Sequence, residues 1–450
     1  FKNGVPSVFV GGQQGYPKGL LYANTHNLAP RFGLAKNLPR YGVVFHAAYG
    51  IFYTPVDLNT WCNQRHNVPY VFPETQQADN FTPPAALFNT GMNFGTPVLG
   101  TGALPATTVS FTAFDSHAPA QYVQQWNTSV QKSMGQNTTL EVGYIGGRGF
   151  HLQRSHLINN TLPGPGPLGP RRPFKTLTFV PGTVLPAGST TATIQGLTFP
   201  VSTINLLENT AQSWYDAGYV NVRRRYSHGL SLLANYTFSK TLTNAPDFRS
   251  PMDESAIPQN NLDLNAEKGP GCDVRHRFAF SSVYDIPAYK AMAWTRLLTQ
   301  NWHASVIYQF QSGMPFTISV FGDTANSGTV LGENPIRANY TGKPIFGPGT
   351  HTAAQWFNPT AFAAPPAFTY GNVGRNSVYG PSMQTLDLAI TRAFRLTEKA
   401  NFQFRAEAFN ALNKVNLGTP NRYVNTPQFG TITMAMTPGR EIQLGARISF

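Results

Sequence analysis

The last ten residues, EIQLGARISF, alternate without exception. Ile442, Leu444, Ala446, Ile448 and Phe450 fall on one parity, and Glu441, Gln443, Gly445, Arg447 and Ser449 on the other. Successive side chains of a strand point to opposite faces, so a period of two builds a ribbon with one apolar and one polar face. The pattern recurs along the chain. One stretch aligns Val43, Phe45, Ala47, Tyr49, Ile51 and Tyr53; another aligns Leu230, Leu232, Ala234, Tyr236 and Phe238, with Leu233 as its one misfit. Phe278, Phe280, Tyr284 and Ile286 follow, then Trp302, Ala304, Val306, Tyr308 and Phe310, then Leu386, Leu388, Ile390 and Phe394. A chain patterned this way folds as two-faced strands.

The alternation predicts about eleven strands, at 27–37, 41–53, 119–133, 137–149, 212–226, 229–241, 272–286, 300–314, 380–396, 400–413 and 440–450. Their connections switch strictly between short and long. The short ones include NLPR, MGQN, YSHG and TEK; a longer one, PAYKAMAWTRLLTQ, has room for a brief interfacial helix. The long ones span about 54–118, 150–211, 242–271, 315–379 and 414–439 and are rich in Pro, Gly, Asn and Thr. Loops of that length are uncommon in compact soluble domains, whereas outer-membrane barrels pair short periplasmic turns with long extracellular loops. A single-chain barrel of that kind has an even number of strands. An odd count therefore describes part of a barrel, whose first strand lacks a partner.

Alternation alone also suits a soluble sandwich. The aromatic residues near strand ends (Tyr53, Tyr122, Trp126, Tyr144, Tyr284, Trp302, Tyr308) favour a membrane, where such rings form interfacial girdles. So does the charged share of 12 %, about half that of an ordinary soluble protein. No run of 18 apolar residues exists, which excludes a transmembrane helix and says nothing against strands. The net charge of +13 raises nucleic acid as a partner, but the basic residues are scattered and only Arg223, Arg224 and Arg225 adjoin, so no nucleic-acid role is expected.

No catalytic constellation is present. GPGPLG at Gly164–Gly169 fits a glycine-rich phosphate pattern, yet its prolines and its lack of a strand-to-helix context make it a loop. The ten histidines form neither HxH nor HxxxH, so neither metal nor cofactor is expected. Cys62 and Cys272 lie far apart, and both a disulfide and free thiols are allowed. The chain begins on Phe with no signal peptide, as a fragment or a processed form would.

Ordered segments from Asn27 onward carry a family likeness: NLAPRFGLA, YGIFY, YVQQWNTSVQ, TLEVGYIGGRG, YSHGLSLLANYTFSKTL, DVRHRFAFSSVYDIP, QSGMPFT, WFNPTAFAAP, GNVGRN, FQFRAEAFNALNKVNLGTPN and IQLGARISF. In these the chain resembles the C-terminal part of TonB-dependent outer-membrane receptors, in particular the Oar-like group with an N-terminal carboxypeptidase-regulatory-like domain. The resemblance implies a 22-stranded barrel filled by a plug, with these eleven strands as its second half. It implies a place in the bacterial outer membrane, among lipid and lipopolysaccharide, and uptake energised through TonB. Residues 1–26 would be the remnant of an extracellular loop and 27–450 the partial barrel, with plug and coupling segment lying outside it. Alone, such a piece is expected not to transport. Phe450 would be the terminal aromatic residue read by the barrel-assembly machinery.

Asp273, Arg275 and Arg277 share the face opposite Phe278, and in a barrel would face the lumen, against a plug, a substrate or water. The long loops offer Trp61, His66, Tyr70, Phe114 and His117 as ligand contacts, while Trp356 and Phe357 in WFNP suit a structural clasp. The competing expectation is a surface adhesin or glycan-binding β protein without transport.

Overall fold

The computed structural model describes residues 6–55, 67, 108–181, 183, 198–245, 257–288, 299–329, 335–398 and 400–450. Eleven antiparallel strands follow one another in an unbroken path: β1 (Arg31–Leu38), β2 (Val43–Tyr53), β3 (Tyr122–Met134), β4 (Thr138–Leu157), β5 (Thr198–Ser227), β6 (Leu230–Thr243), β7 (His276–Ile286), β8 (Trp302–Gln311), β9 (Met383–Arg395), β10 (Asn401–Phe409) and β11 (Glu441–Ser449). Four short strands join the same sheet to make fifteen. Strands β1 and β11 are the two ends of the path.

Each strand pairs with the next in sequence, the arrangement that short hairpins on one side impose. His228 and Gly229 between β5 and β6 both take positive φ, 51° and 76°, the two-residue turn whose twist matches its strands. The segment expected to carry an interfacial helix falls mostly outside the described residues. On the opposite side the connections are long.

The register carries the apolar parity across the sheet. Phe45 lies opposite Val130, Val130 opposite Val142, Val142 opposite Val220, Val220 opposite Tyr236, and Tyr236 opposite Phe278. Toward the last strand the same face holds Ile390, Ala406 and Leu444. Among the described residues this face is left open: Val142 is 49 % exposed, Phe238 50 % and Leu444 69 %. An apolar band of this extent needs a non-aqueous solvent. The other face carries Gln131, Glu141, Asn221, Asn235, Ser281, Gln309, Thr385, Arg405 and Gln443. Leu233, Val283 and Ile307 interrupt it as an exposed apolar patch, Leu233 and Ile307 flanking Ser281.

Several boundaries differ from expectation by four residues or more, among them the start of β1, at Arg31 rather than 27, and the end of β10, at Phe409 rather than 413. Strands β4 and β5 do not end near 149 and 212: past a bulge at Gly149–Leu152 they pair again, from Leu152 with Ala211 to Leu157 with Asn205. Strand β7 begins at His276 rather than 272, leaving Asp273 and Arg275 in the preceding loop.

The buried core lies on the long-connection side, in the connections themselves and in the short strands and the early part of β5 packed among them. One cluster gathers Phe316, Ile318, Trp356, Phe357, Phe362, Val378 and Ile432 from the β8–β9 and β10–β11 connections. A second gathers Val8, Val109, Leu177, Phe179, Phe199 and Val201. Val8 arrives there because Ser7–Val8 pairs in parallel with Thr178–Phe179, which ties the N-terminal segment to the loops.

Candidate functional site: the loop cap

Aperiodic loops have no ladder to satisfy their backbone, so a buried loop needs side chains to do it. Gln259 does so at the centre of the cap: its Oε1 accepts from the backbone N–H groups of Arg337 (2.8 Å) and Gly371 (3.2 Å), and its Nε2 donates to the Gly371 carbonyl (3.0 Å). Gly371 is required there, since a Cβ would stand 1.9 Å from the Arg337 carbonyl oxygen. Glu267 and Arg337, both buried, pair at 3.3 Å, and Arg375 Nε donates to the Glu267 carbonyl at 2.8 Å. Burial pushes the Arg337 guanidinium below its ordinary range, opposed by the Glu267 charge. Burial likewise raises the Tyr370 phenol to about 12, helped by Asp323 and Glu267.

Further clasps join separate connections. Thr161 N–H donates to the Ser327 carbonyl at 2.9 Å, and Asn326 Nδ2 donates to the carbonyls of Gly164 and Gly166, both at 2.8 Å, so GPGPLG serves as a loop-packing segment. Trp356 Nε1 donates to the Tyr379 carbonyl at 2.9 Å, and Phe357 packs edge-on against Phe362 and Phe429. Both residues of WFNP are thus parts of the core.

Asp273 is fully buried; its carboxylate accepts from Thr241 N–H (2.7 Å), Tyr379 Oη (2.7 Å) and Arg275 Nε (2.8 Å). The hydrogen bond to Asp273 raises the Arg275 pKa against the opposing effect of burial. This triad joins the start of β7 to β6 and to the cap. Arg277 is separate, on the polar face of β7 opposite Thr237 and Gln311. At the β4–β5 overhang, Glu208 meets Arg154 (2.5 Å) and His156 (3.2 Å). Burial pushes its carboxyl up, but the hydrogen bond to His156 and the Arg154 charge outweigh that and hold it at about 2.

Of the loop contacts expected, Trp61, His66 and Tyr70 lie outside the described residues, as does Cys62. Phe114 ends a short strand, Val109–Phe114, that pairs in parallel with β5. His117 is exposed and stacks on Tyr22 at 4.5 Å. Phe450 stands 96 % exposed after β11. A shallow open pocket at the cap's base is lined by Met314, Met383, Met436 and Ser312, among others. Sequence reasoning missed Gln259, Glu267 and Arg337, which carry no periodicity or motif, and gave no role to Arg375, although it lies in GNVGRN. Among the described residues no three His, Cys, Asp or Glu converge to hold a metal. The chemistry available in the cap is shape and buried hydrogen bonds.

No curated protein matches the sequence. Solved structures do. The outer membrane transporter YddB from Escherichia coli is similar at TM-score 0.47 and 10 % identity, over 94 % of this chain and 41 % of that one. The siderophore receptor PirA from Acinetobacter baumannii is similar at 0.42 and 9 %, over 94 % and 41 %. A mutant ferric enterobactin receptor, PfeA, from Pseudomonas aeruginosa is similar at 0.41 and 10 %, over 94 % and 40 %. The chain thus spans about two fifths of the length of these structures. Residues 1–443 match the outer membrane beta barrel domain, and the chain belongs to that family, a family of bacterial outer-membrane barrels rather than of enzymes.

Proposed function

We propose that the chain forms the C-terminal half of the 22-stranded barrel of a TonB-dependent receptor, supplying barrel wall and extracellular ligand vestibule for uptake of a substrate too large for porins. The observation that carries it is the eleven-strand meander with short turns along one side and a packed loop cap along the other. A cap with its own core holds a fixed surface toward the outside, as a receptor needs and a simple pore does not. Strands β1 and β11 would each pair with a strand of the first half. The apolar patch of Leu233, Val283 and Ile307, with Arg277 nearby on the same polar face, would meet the plug. Phe450 would be the terminus read by the assembly machinery, and TonB would engage a segment ahead of the plug. The ordered segments shared with the Oar-like group support that group as its subfamily.

The test is the gene and its product. The coding sequence upstream of Phe1 is expected to specify a signal sequence, a plug and a first half-barrel, and the full product to fractionate with the outer membrane. A product that starts at Phe1 and leaves the cell freely soluble overturns the proposal in favour of a secreted adhesin.

A further inference from the structure

Methionine is scarce in this chain, and half of it collects in one place. Of eight methionines, Met314 follows β8, Met383 opens β9, and Met434 and Met436 lie in the β10–β11 connection. Met314, Met383 and Met436 line the pocket at the base of the cap, together with Gln311, Ser312 and Thr419.

Hydrogen bonds hold these segments against one another. Gly380 N–H donates to the Met314 carbonyl at 2.9 Å, and a Cβ on Gly313 would stand 1.7 Å from the Gly380 carbonyl oxygen, so the two chain segments touch backbone to backbone. Asn416, 1 % exposed, brackets the start of β9: its Oδ1 accepts from Gln384 N–H and its Nδ2 donates to the Gln384 carbonyl, both at 2.9 Å. The Asn416 carbonyl accepts from Met436 N–H at 2.7 Å. The segments of Met383 and Met436 are thus tied to the same buried asparagine. Gly418, which also lines the pocket, donates its N–H to the Met434 carbonyl at 2.8 Å and brings the fourth methionine to the margin.

Core packing does not account for this gathering. A methionine that fills a gap in a core is buried, whereas Met436 is 52 % exposed and Met434 74 %. The pocket's volume of about 20 Å³ admits one water-sized particle and no organic ligand. Among the described residues that line it there is no carboxylate, imidazole or thiol; it offers thioethers, an amide and hydroxyls. Calcium and magnesium are held by carboxylate and carbonyl oxygens, and zinc by thiolate, imidazole or carboxylate. Thioethers select soft monovalent copper, whose single charge asks the least compensation from neutral ligands.

We propose that Met314, Met383 and Met436 form a binding site for one soft monovalent cation, copper(I) or silver(I), with Met434 at its entrance. The site goes beyond the receptor reading and does not depend on it, since all its parts lie within this chain.

The test uses the full-length protein in detergent and chloride-free buffer, with its thiols alkylated. Silver(I) is the probe, hydrogen peroxide the footprinting reagent and peptide mass spectrometry the readout. Silver(I) is expected to protect Met314, Met383 and Met436 from sulfoxide formation. Met134, 56 % exposed at the β3–β4 turn, should oxidise as before, and zinc(II) should protect none of the four. Replacing Met383 and Met436 together by Leu, which conserves volume, should abolish protection at Met314 and remove one equivalent of bound silver. Heat-modifiable gel migration verifies that the variant folds; should it misfold, the wild-type footprint alone decides. Unchanged peroxide reactivity of the three methionines in excess silver(I) overturns the inference, as does equal protection of Met134 or protection by zinc(II).

Discussion

The sheet and the loop cap are stabilised by opposite means. The sheet repeats one local rule for eleven strands, buries little of its own apolar surface and leaves Leu444 and Ile442 each 69 % exposed. The cap follows no repeat, yet it holds Phe316, Ile318 and Phe357 at or below 1 % exposure and a buried Glu267–Arg337 pair. Hydrocarbon supplies to the sheet what side chains supply to the cap, so one polypeptide solves its burial problem twice.

Substitutions sharpen that contrast. The largest effect is expected in the cap: Phe357→Ala should cost about 3–5 kcal/mol, the usual range for emptying a packed aromatic site. It should appear as loss of protease resistance in the loops at unchanged membrane insertion; an intact cap would mean that its core is not cooperative. Next comes the sheet, where Leu444→Arg should cost about 2–4 kcal/mol near the bilayer midplane while Gln443→Arg on the other face is mild. Unfolding from lipid vesicles measures both, and equal tolerance would remove hydrocarbon from the explanation. A smaller effect is expected for Gly146→Ala, whose Cβ would stand 2.4 Å from the Trp126 indole; displacing that ring should cost about 1–3 kcal/mol, read by the same unfolding assay.

The most local effect is in pH. Glu208 is held at about 2 against an ordinary 4.5, so it contributes stability that is fully present above 4.5 and is lost as pH falls toward 2. Hydrogen exchange at the Leu152–Leu157 overhang should accelerate across that window while the strands inside the apolar band stay protected. Uniform acceleration would show that the overhang has no separate stability.

The same contrast explains what the sequence disclosed. Alternation is local, so all eleven strands were legible, with Leu233 standing out because it joins Val283 and Ile307 across two neighbouring strands. The cap was opaque because its contacts are distant: Gln259 meets Gly371 and Phe316 packs near Phe357, and no short window contains both members. Two boundary errors have physical causes. Strands β4 and β5 continue past a bulge that interrupts the parity used to find them. Asp273 and Arg275 keep the strand parity in sequence, but Thr241 N–H and Tyr379 Oη draw the Asp273 carboxylate out of the ladder and into the base of the cap.

The glycines of β4 have a consequence for assembly. Trp126 on one face lies over Gly146, and Tyr219 on the other lies over Gly143, where a Cβ would stand 2.6 Å from its ring. Sliding β4 by two residues in either direction would thrust Tyr144 or Arg148 beneath the indole, and Glu141 or Ile145 beneath the phenol. The two rings act as pawls set from opposite sides, allowing a single seating. A ribbon inserting where no water can help it unzip and try again thereby carries its own proofreading.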